Sequence, residues 1–269
     1  MRAISLAALA LLAGAVPPAR AQGEFHWSGR LASGKRLEIK GVNGDIHAVG
    51  VTSGEATVTA RKHARRSDPE SVEIKVVATD DAVTICAVYP TPRRARRDNE
   101  CTAGDHWSSS TEDNDVSVDF EVRVPAGVKF YGHTVNGQVE AEHLGADVWA
   151  YTVNGSVRLS TTGYAEATTV NGSIVASLGR ANWSDGVEFT TVNGGITLDL
   201  PSDLSTEVRA STVNGDLVTD FPLLVTGKFG PRHLHGTIGN GGRQLSLSTV
   251  NGSIRLRKST LRGGMRDAW

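Results

Sequence analysis

Between residues 131 and 257 apolar and polar positions alternate in short bursts, each interrupted by the same tetrapeptide. Thr-Val-Asn-Gly begins at Thr134, Thr152, Thr169, Thr191, Thr212 and Thr249. Five and three positions before its Val stand Val148 and Ala150, Val187 and Phe189, Val208 and Ala210, and Leu245 and Leu247. Four and six positions after it stand Val157 and Leu159, Ile174 and Ala176, Ile196 and Leu198, and Ile254 and Leu256. A period of two on both flanks predicts two short strands per unit, joined at Asn-Gly. No window keeps a period of 3.6, so the pattern predicts an all-β chain with minimal helix.

Two architectures suit these units. Asn-Gly favours a tight hairpin, because both residues accept the positive φ of a type I′ turn. A parallel β-solenoid would instead stack each copy on its own image about 4.8 Å away. Only the stack explains why Thr and Val recur with Asn-Gly, since like side chains then form ladders. The solenoid reading expects Asn136, Asn154, Asn171, Asn193 and Asn214 to lie in one line in that order, with Asn251 as the last copy. Asn43, in the related Gly41-Val42-Asn43-Gly44, belongs to the same structural repeat. A second, buried ladder should run through Val157, Ile174, Ile196 and Leu217. Successive Asn residues are 18, 17, 22, 21 and 37 positions apart. The smaller variation should be absorbed at 161–163, 180–186 and 201–205. The last step must contain an excursion, 221–242, which includes a degraded copy, Ile238-Gly239-Asn240-Gly241.

Outside the repeats, residues 22–130 read as an N-terminal β region that begins or caps the solenoid and hides an edge that would otherwise aggregate. Candidate strands are Arg36–Lys40, 56–61, 71–77, Ala82–Val88 and 116–124. Residues 1–21 read as a signal peptide: Arg2, a short apolar run from Ile4 to Val16, then Ala19-Arg20-Ala21, with cleavage before Gln22. That run is too short to span a membrane, and no cysteine follows it to carry a lipid, so no transmembrane anchor is expected. The basic tail, 258–269, ends in Trp269 without the run of amphipathic strands of an outer-membrane barrel. Export makes a disulfide the default for Cys86 and Cys101, the only two cysteines.

Repeated Thr-Val-Asn-Gly-x-[Ile/Val/Leu], preceded by GVNGDI and followed by IGNGG and LSLSTVNGSIRL, resembles the DUF4097 adhesin family, related to the β-helical head domains of bacterial surface proteins. The resemblance covers about residues 36–257, including VTICAVYP and VSVDFEVRVPAGVKF. It implies a β-solenoid at the cell envelope and no particular reaction.

Composition narrows the functional classes. Lys and Arg number 28 against 29 Asp and Glu, which excludes a nucleic-acid-binding protein built on overall charge. Basic residues do cluster at 61–66 and at Arg93, Arg94, Arg96 and Arg97, the latter being candidate polyanion contacts. No nucleophile, zinc or nucleotide motif is present, so no catalytic residue, metal or cofactor is expected. His233 and His235 share a strand face without a third ligand. Glu112, Asp113 and Asp115 lack the Gly and terminal Glu of a calcium loop. The repeat register would bring Asp199 and Asp220 together on neighbouring rungs, as in a retaining glycosidase. The same register makes Glu140 and Arg158 stacked partners. The sequence therefore predicts a non-enzymatic exported protein, periplasmic or at the cell surface: an adhesin or scaffold that binds a protein or glycan, or self-associates. The alternatives are a carbohydrate-active β-helix using Asp199 and Asp220, and a periplasmic accessory module of an envelope-sensing system.

Overall fold

The computed structural model describes residues 24–104, 107, 109–179, 183, 186–225 and 232–259. The expected signal peptide, most of the 180–186 turn and the tail beyond Ser259 lie outside the described residues. In chain order the strands are β1 (Glu24–Gly29), β2 (Arg36–Lys40), β3 (Ile46–Val51), β4 (Ala56–His63), β5 (Glu73–Ala78), β6 (Ala82–Val88), β7 (Ser117–Pro125), β8 (Lys129–His133), β9 (Val139–Leu144), β10 (Val148–Tyr151) and β11 (Val157–Thr161). They continue as β12 (Ala165–Thr168), β13 (Ile174–Leu178), β14 (Val187–Thr190), β15 (Ile196–Leu200), β16 (Thr206–Asn214), β17 (Leu217–Thr219), β18 (Leu224–Val225), β19 (His233–Ile238), β20 (Gln244–Asn251) and β21 (Ile254–Lys258). Among the described residues the one helical turn is 3-10, Pro69–Ser71, capped by the Asp68 side chain accepting from Glu70 N–H. It displaces the start of the strand expected at 71 to Glu73. Of the strands the periodicity did not reveal, β1 and β3 extend one sheet.

Two sheets enclose a single apolar core. One, here sheet A, has the order β1-β4-β7-β3-β9-β11-β13-β15-β21-β17, and the other, sheet B, β18-β19-β16-β20-β14-β12-β10-β8-β2-β6-β5. From β2 and β3 to β16 and β17 every neighbouring pair within a sheet is parallel. Each rung is one strand of sheet B turned into one strand of sheet A at a repeat corner, which makes the fold an all-β parallel solenoid. The first rung, β2 and β3, turns at Gly41-Val42-Asn43-Gly44. At the N-terminal end β6 and β7 form a rung without such a corner, and β5, β4 and β1 close the stack antiparallel.

The corner assigns each repeat residue a separate task. Thr is buried, and its hydroxyl donates to the corner glycine carbonyl of the adjacent rung, as in Thr152 to Gly137 and Thr169 to Gly155, both 2.8 Å. Val points outward, with Val192, Val213 and Val250 exposed. The Asn side chains form a continuous amide chain: Nδ2 of Asn136, Asn154, Asn171, Asn193, Asn251 and Asn214 each donates to Oδ1 of the preceding amide, starting from Asn43, at 2.7–2.8 Å. An amide can do this because it carries both donor and acceptor. The glycine is needed for a reason other than the turn conformation the hairpin argument supposes. Positive φ occurs at Gly44 but at none of the corner glycines that follow Thr-Val-Asn. Instead, a Cβ at Gly155 or Gly172 would overlap the carbonyl of the corner glycine one rung before.

The spatial order of the rungs corrects the expected one. Asn193 bridges to Asn251, and Asn251 pairs with Asn214. The last repeat in sequence is thus inserted between the fourth and fifth Thr-Val-Asn-Gly copies. After β15 the chain skips one position, lays down β16 and β17, leaves through the antiparallel β18 and β19, and returns to fill the gap with β20 and β21. Leu217 therefore stacks on Ile254 and not on Ile196. The core ladder of sheet A runs Ile46, Val139, Val157, Ile174, Ile196, Ile254, Leu217. The degraded copy at 238–241 is the turn between β19 and β20, with Gly239 and Gly241 at positive φ, and not a rung corner.

Candidate functional site

Because side chains alternate across each strand, the two sheets present two different outer faces. Sheet A is charged and polar outside: His47 meets Glu121 at 3.0 Å, and Arg158 meets Glu140 one rung away at 3.7 Å. Sheet B carries aromatic rings. Trp149 lies between Tyr131 and Glu166 on the flanking rungs, and Tyr151 lies between His133 and Thr168. Tyr164, just before β12, packs on Trp149 with ring centroids 5.5 Å apart. His133 packs against Tyr151 at 4.5 Å and Trp107 at 5.0 Å. Burial, followed by the charge of Lys40, pushes the His133 pKa down to about 4.

Trp107 belongs to the long connection between β6 and β7, which folds back over the N-terminal part of sheet B. Cys101 in this loop is bonded to Cys86 of β6, with Cα atoms 5.5 Å apart. Beneath it sit two fully buried charges, Glu38 and Lys40. Lys40 Nζ donates to the carbonyls of Thr102 (2.7 Å) and Gly104 (2.6 Å) and lies 3.3 Å from Glu38. Glu38 also accepts from Thr84 Oγ1 and Gly104 N–H, with Arg36 Nε 2.7 Å away. Buried ions need such pairing to be tolerated. At the loop base the Tyr89 hydroxyl donates to Val116 O at 2.8 Å, and burial pushes its pKa up to about 12. Arg93, Arg94, Arg96 and Arg97 are all exposed on the same loop.

The other sequence candidates are not brought together. Asp199 pairs in register with Arg257, while Asp220 follows Thr219, which is opposite Leu256. The inserted β21 thus separates the two carboxylates by two rungs, about 10 Å, with Arg257 between them; the acidic pair expected from the register does not form. Asp220 instead accepts from the Lys258 N–H. His233 and His235 are exposed on β19. Asp115 is held down to a pKa of about 2, chiefly by hydrogen bonds from Ser67. Among the described residues no group of His, Cys, Asp or Glu is placed to hold a metal ion, and no helix is long and apolar enough to cross a membrane.

The sequence pattern of one family, Toastrack DUF4097, matches residues 23–257. The chain belongs to this family. A "putative cell adhesion protein" from Clostridium sporogenes ATCC 15579 is similar at 10% identity and a TM-score of 0.49, over 88% of this chain and 100% of that one. A "putative adhesin" from Bacteroides fragilis NCTC 9343 is similar at 13% identity and a TM-score of 0.39, over 88% and 98%. No curated protein matches the chain.

Two features of this Toastrack chain escaped the sequence reading. The aromatic row had a signal: Tyr131 and Trp149 stand four residues before the repeat Val, and His133 and Tyr151 two before. The second feature is an apolar cleft of about 570 Å³ at the C-terminal end, lined by Leu217, Phe221, Leu223, Val225, Leu234 and Leu256. It opens because sheet B continues through β19 and β18 while sheet A stops at the three-residue β17. Leu224 beside it is 70% exposed. The inserted rung creates this mismatch, and no local pattern announces it.

Proposed function

We propose that the protein is an exported, non-enzymatic component of the bacterial envelope, an adhesin or scaffold that binds a partner or surface polymer through a rigid repeated β face. The observation that carries this reading is the unbroken seven-amide ladder, which fixes the outward side chains of successive rungs in straight rows. A surface already ordered before binding loses little conformational entropy on association. Family membership, the signal-peptide pattern of residues 1–21 and a disulfide suited to an oxidising compartment support the same reading. The glycosidase alternative loses its basis with the separation of Asp199 from Asp220. The exposed Arg93, Arg94, Arg96 and Arg97 are suited to anionic groups on such a partner.

The test is fractionation followed by binding. Expressed with its own leader in a bacterial host, the chain should leave the cytoplasm and begin at Gln22. The purified protein should bind isolated cell envelopes saturably, with no product released, and Asp199→Ala/Asp220→Ala should bind equally well. Retention in the cytoplasm with residues 1–21 intact, or a turnover abolished by the double change, would overturn the proposal.

A further inference from the structure

The outward positions of the parallel strands carry Tyr and Trp on sheet B only; the matching positions of sheet A are Glu140, Arg158, Val175, Thr197 and Arg255. We infer that the row formed by Tyr131, Trp149, Tyr151 and Tyr164 is a binding platform for an uncharged glycan chain, an inference that rests on the proposed role as a partner-binding envelope protein. The rings are half-buried and braced by one another, with Trp149 tilted 41° to Tyr164 and His133 tilted 56° to Tyr151. The C–H faces of a pyranose are apolar and weakly positive, and they complement the negative face of an aromatic ring. Beyond the rings, the same face continues with Glu166 and Thr168, Glu188 and Thr190, then Ser246 and Ser248. These are hydrogen-bonding partners for sugar hydroxyls. The Glu166 carboxylate is already oriented, accepting from the Tyr164 hydroxyl at 2.8 Å.

Charge and composition select this occupant. The outward positions of β8, β10, β12, β14 and β20 hold one cation, Lys129, which is paired with Asp147 at 3.3 Å, and two carboxylates, Glu166 and Glu188, so the face has no net positive charge to attract an anionic polymer. Apart from the corner residue Val250 they hold no Leu, Ile, Val or Met, so few of the aliphatic contacts that accompany aromatics in the core of a protein interface are present. The rung spacing, about 4.8 Å, is close to the length of one pyranose residue. A glycan running across the strands would therefore meet one rung per sugar, passing from rings to hydroxyls and carboxylates.

Affinity electrophoresis of the full exported chain in gels containing dextran, yeast mannan, xyloglucan or hydroxyethyl cellulose tests this, with alginate as the anionic comparison. At least one uncharged polymer should retard the protein, and any retardation by alginate, through the exposed arginines of the β6–β7 loop, should be unchanged by Trp149→Ala. Trp149→Ala and Tyr164→Ala should each weaken that retardation at least tenfold. Trp149→Phe, which keeps a stacking face, should retain most of it, and Arg255→Ala on sheet A should change nothing. Circular dichroism and thermal melting establish that each variant is folded. Envelope binding without retardation by any uncharged polymer overturns the platform and leaves the binding role standing. Envelope binding weakened by Trp149→Ala, again without retardation, assigns the face to a protein partner and also overturns it. Retardation together with cleavage of the polymer supports the platform and sinks the non-enzymatic role instead.

Discussion

The middle rungs and the C-terminal end are built from the same tetrapeptide, yet only in the middle does order along the chain equal order in space. From β10 to β15 each unit follows a Thr-Val-Asn-Gly turn and lands on its predecessor. At the end, β16 and β17 take the outermost position, and β20 and β21 enter between them and β14 and β15. The difference teaches what the repeat encodes. Its buried Thr, its amide and its glycine describe how one rung touches another, and they fit any other copy equally well. They do not say which copy is the neighbour.

If the corners of the middle are clamped from both sides and those of the end from one, equal substitutions should have unequal effects. The largest concerns glycine. A Cβ at Gly172 or at Gly215 overlaps a glycine carbonyl of the adjacent rung. Gly172→Ala should cost about 3 kcal/mol or more in urea unfolding, because neither neighbouring rung can move aside. Gly215→Ala should cost less than half of that, since β17 is short and paired on one side only. Equal costs would break the comparison.

The N-terminal end is held by devices other than the repeat, and each can be removed. Cys86→Ser/Cys101→Ser should lower stability by about 3 kcal/mol, the loop-closure value for a 15-residue separation. The loss should appear first as faster hydrogen exchange in β2 and β6, with β11 to β15 unchanged. His133 supplies a pH dependence of similar size. Its folded pKa, about 4, lies below the ordinary value of 6.5, so the unfolded chain takes up the proton first. Stability should fall as pH drops from about 6.5 to about 4, by about 3 kcal/mol, and this contribution should be flat outside that window. Asp115 titrates lower, near 2, and does not confuse the measurement. His133→Phe, which keeps a ring against Trp107 and Tyr151, should remove the slope.

The smallest effect separates one amide from another. Asn171 both donates to Asn154 and accepts from Asn193, whereas Asn214 only donates to Asn251. On an exposed ladder Asn171→Ala should cost about 1–2 kcal/mol and Asn214→Ala about half as much. A reversed ranking in thermal melts would place Asn214 inside the stack and break the assigned order.

Much of the fold was legible because the interior alternates strictly. Arg36–Lys40 and Ala82–Val88 follow the boundaries read from the sequence, and Val157 opposite Ile174 opposite Ile196 follows from alignment on the repeat Val. What stayed hidden is non-local. Glu38 and Lys40 stand in the expected strand Arg36–Lys40, but their burial comes from a loop more than sixty residues further along the chain. The same loop brings Trp107 to His133. Asp199 and Asp220 looked adjacent because the register was counted along the chain, and the insertion of β21 is decided by stacking among nearly identical copies.

Cross-linking of chosen rungs tests that insertion most directly. Thr190 faces Ser248 across neighbouring parallel strands, and Ser248 faces Ser211 on the next. In Thr190→Cys/Ser248→Cys, mild oxidation of the folded protein should form a second disulfide, detected by peptide mass mapping, at near-complete yield. Thr190→Cys/Ser211→Cys should give none, because a whole rung lies between. The opposite result, with 190 joined to 211 and not to 248, would mean that the rungs stack in chain order and would contradict the account.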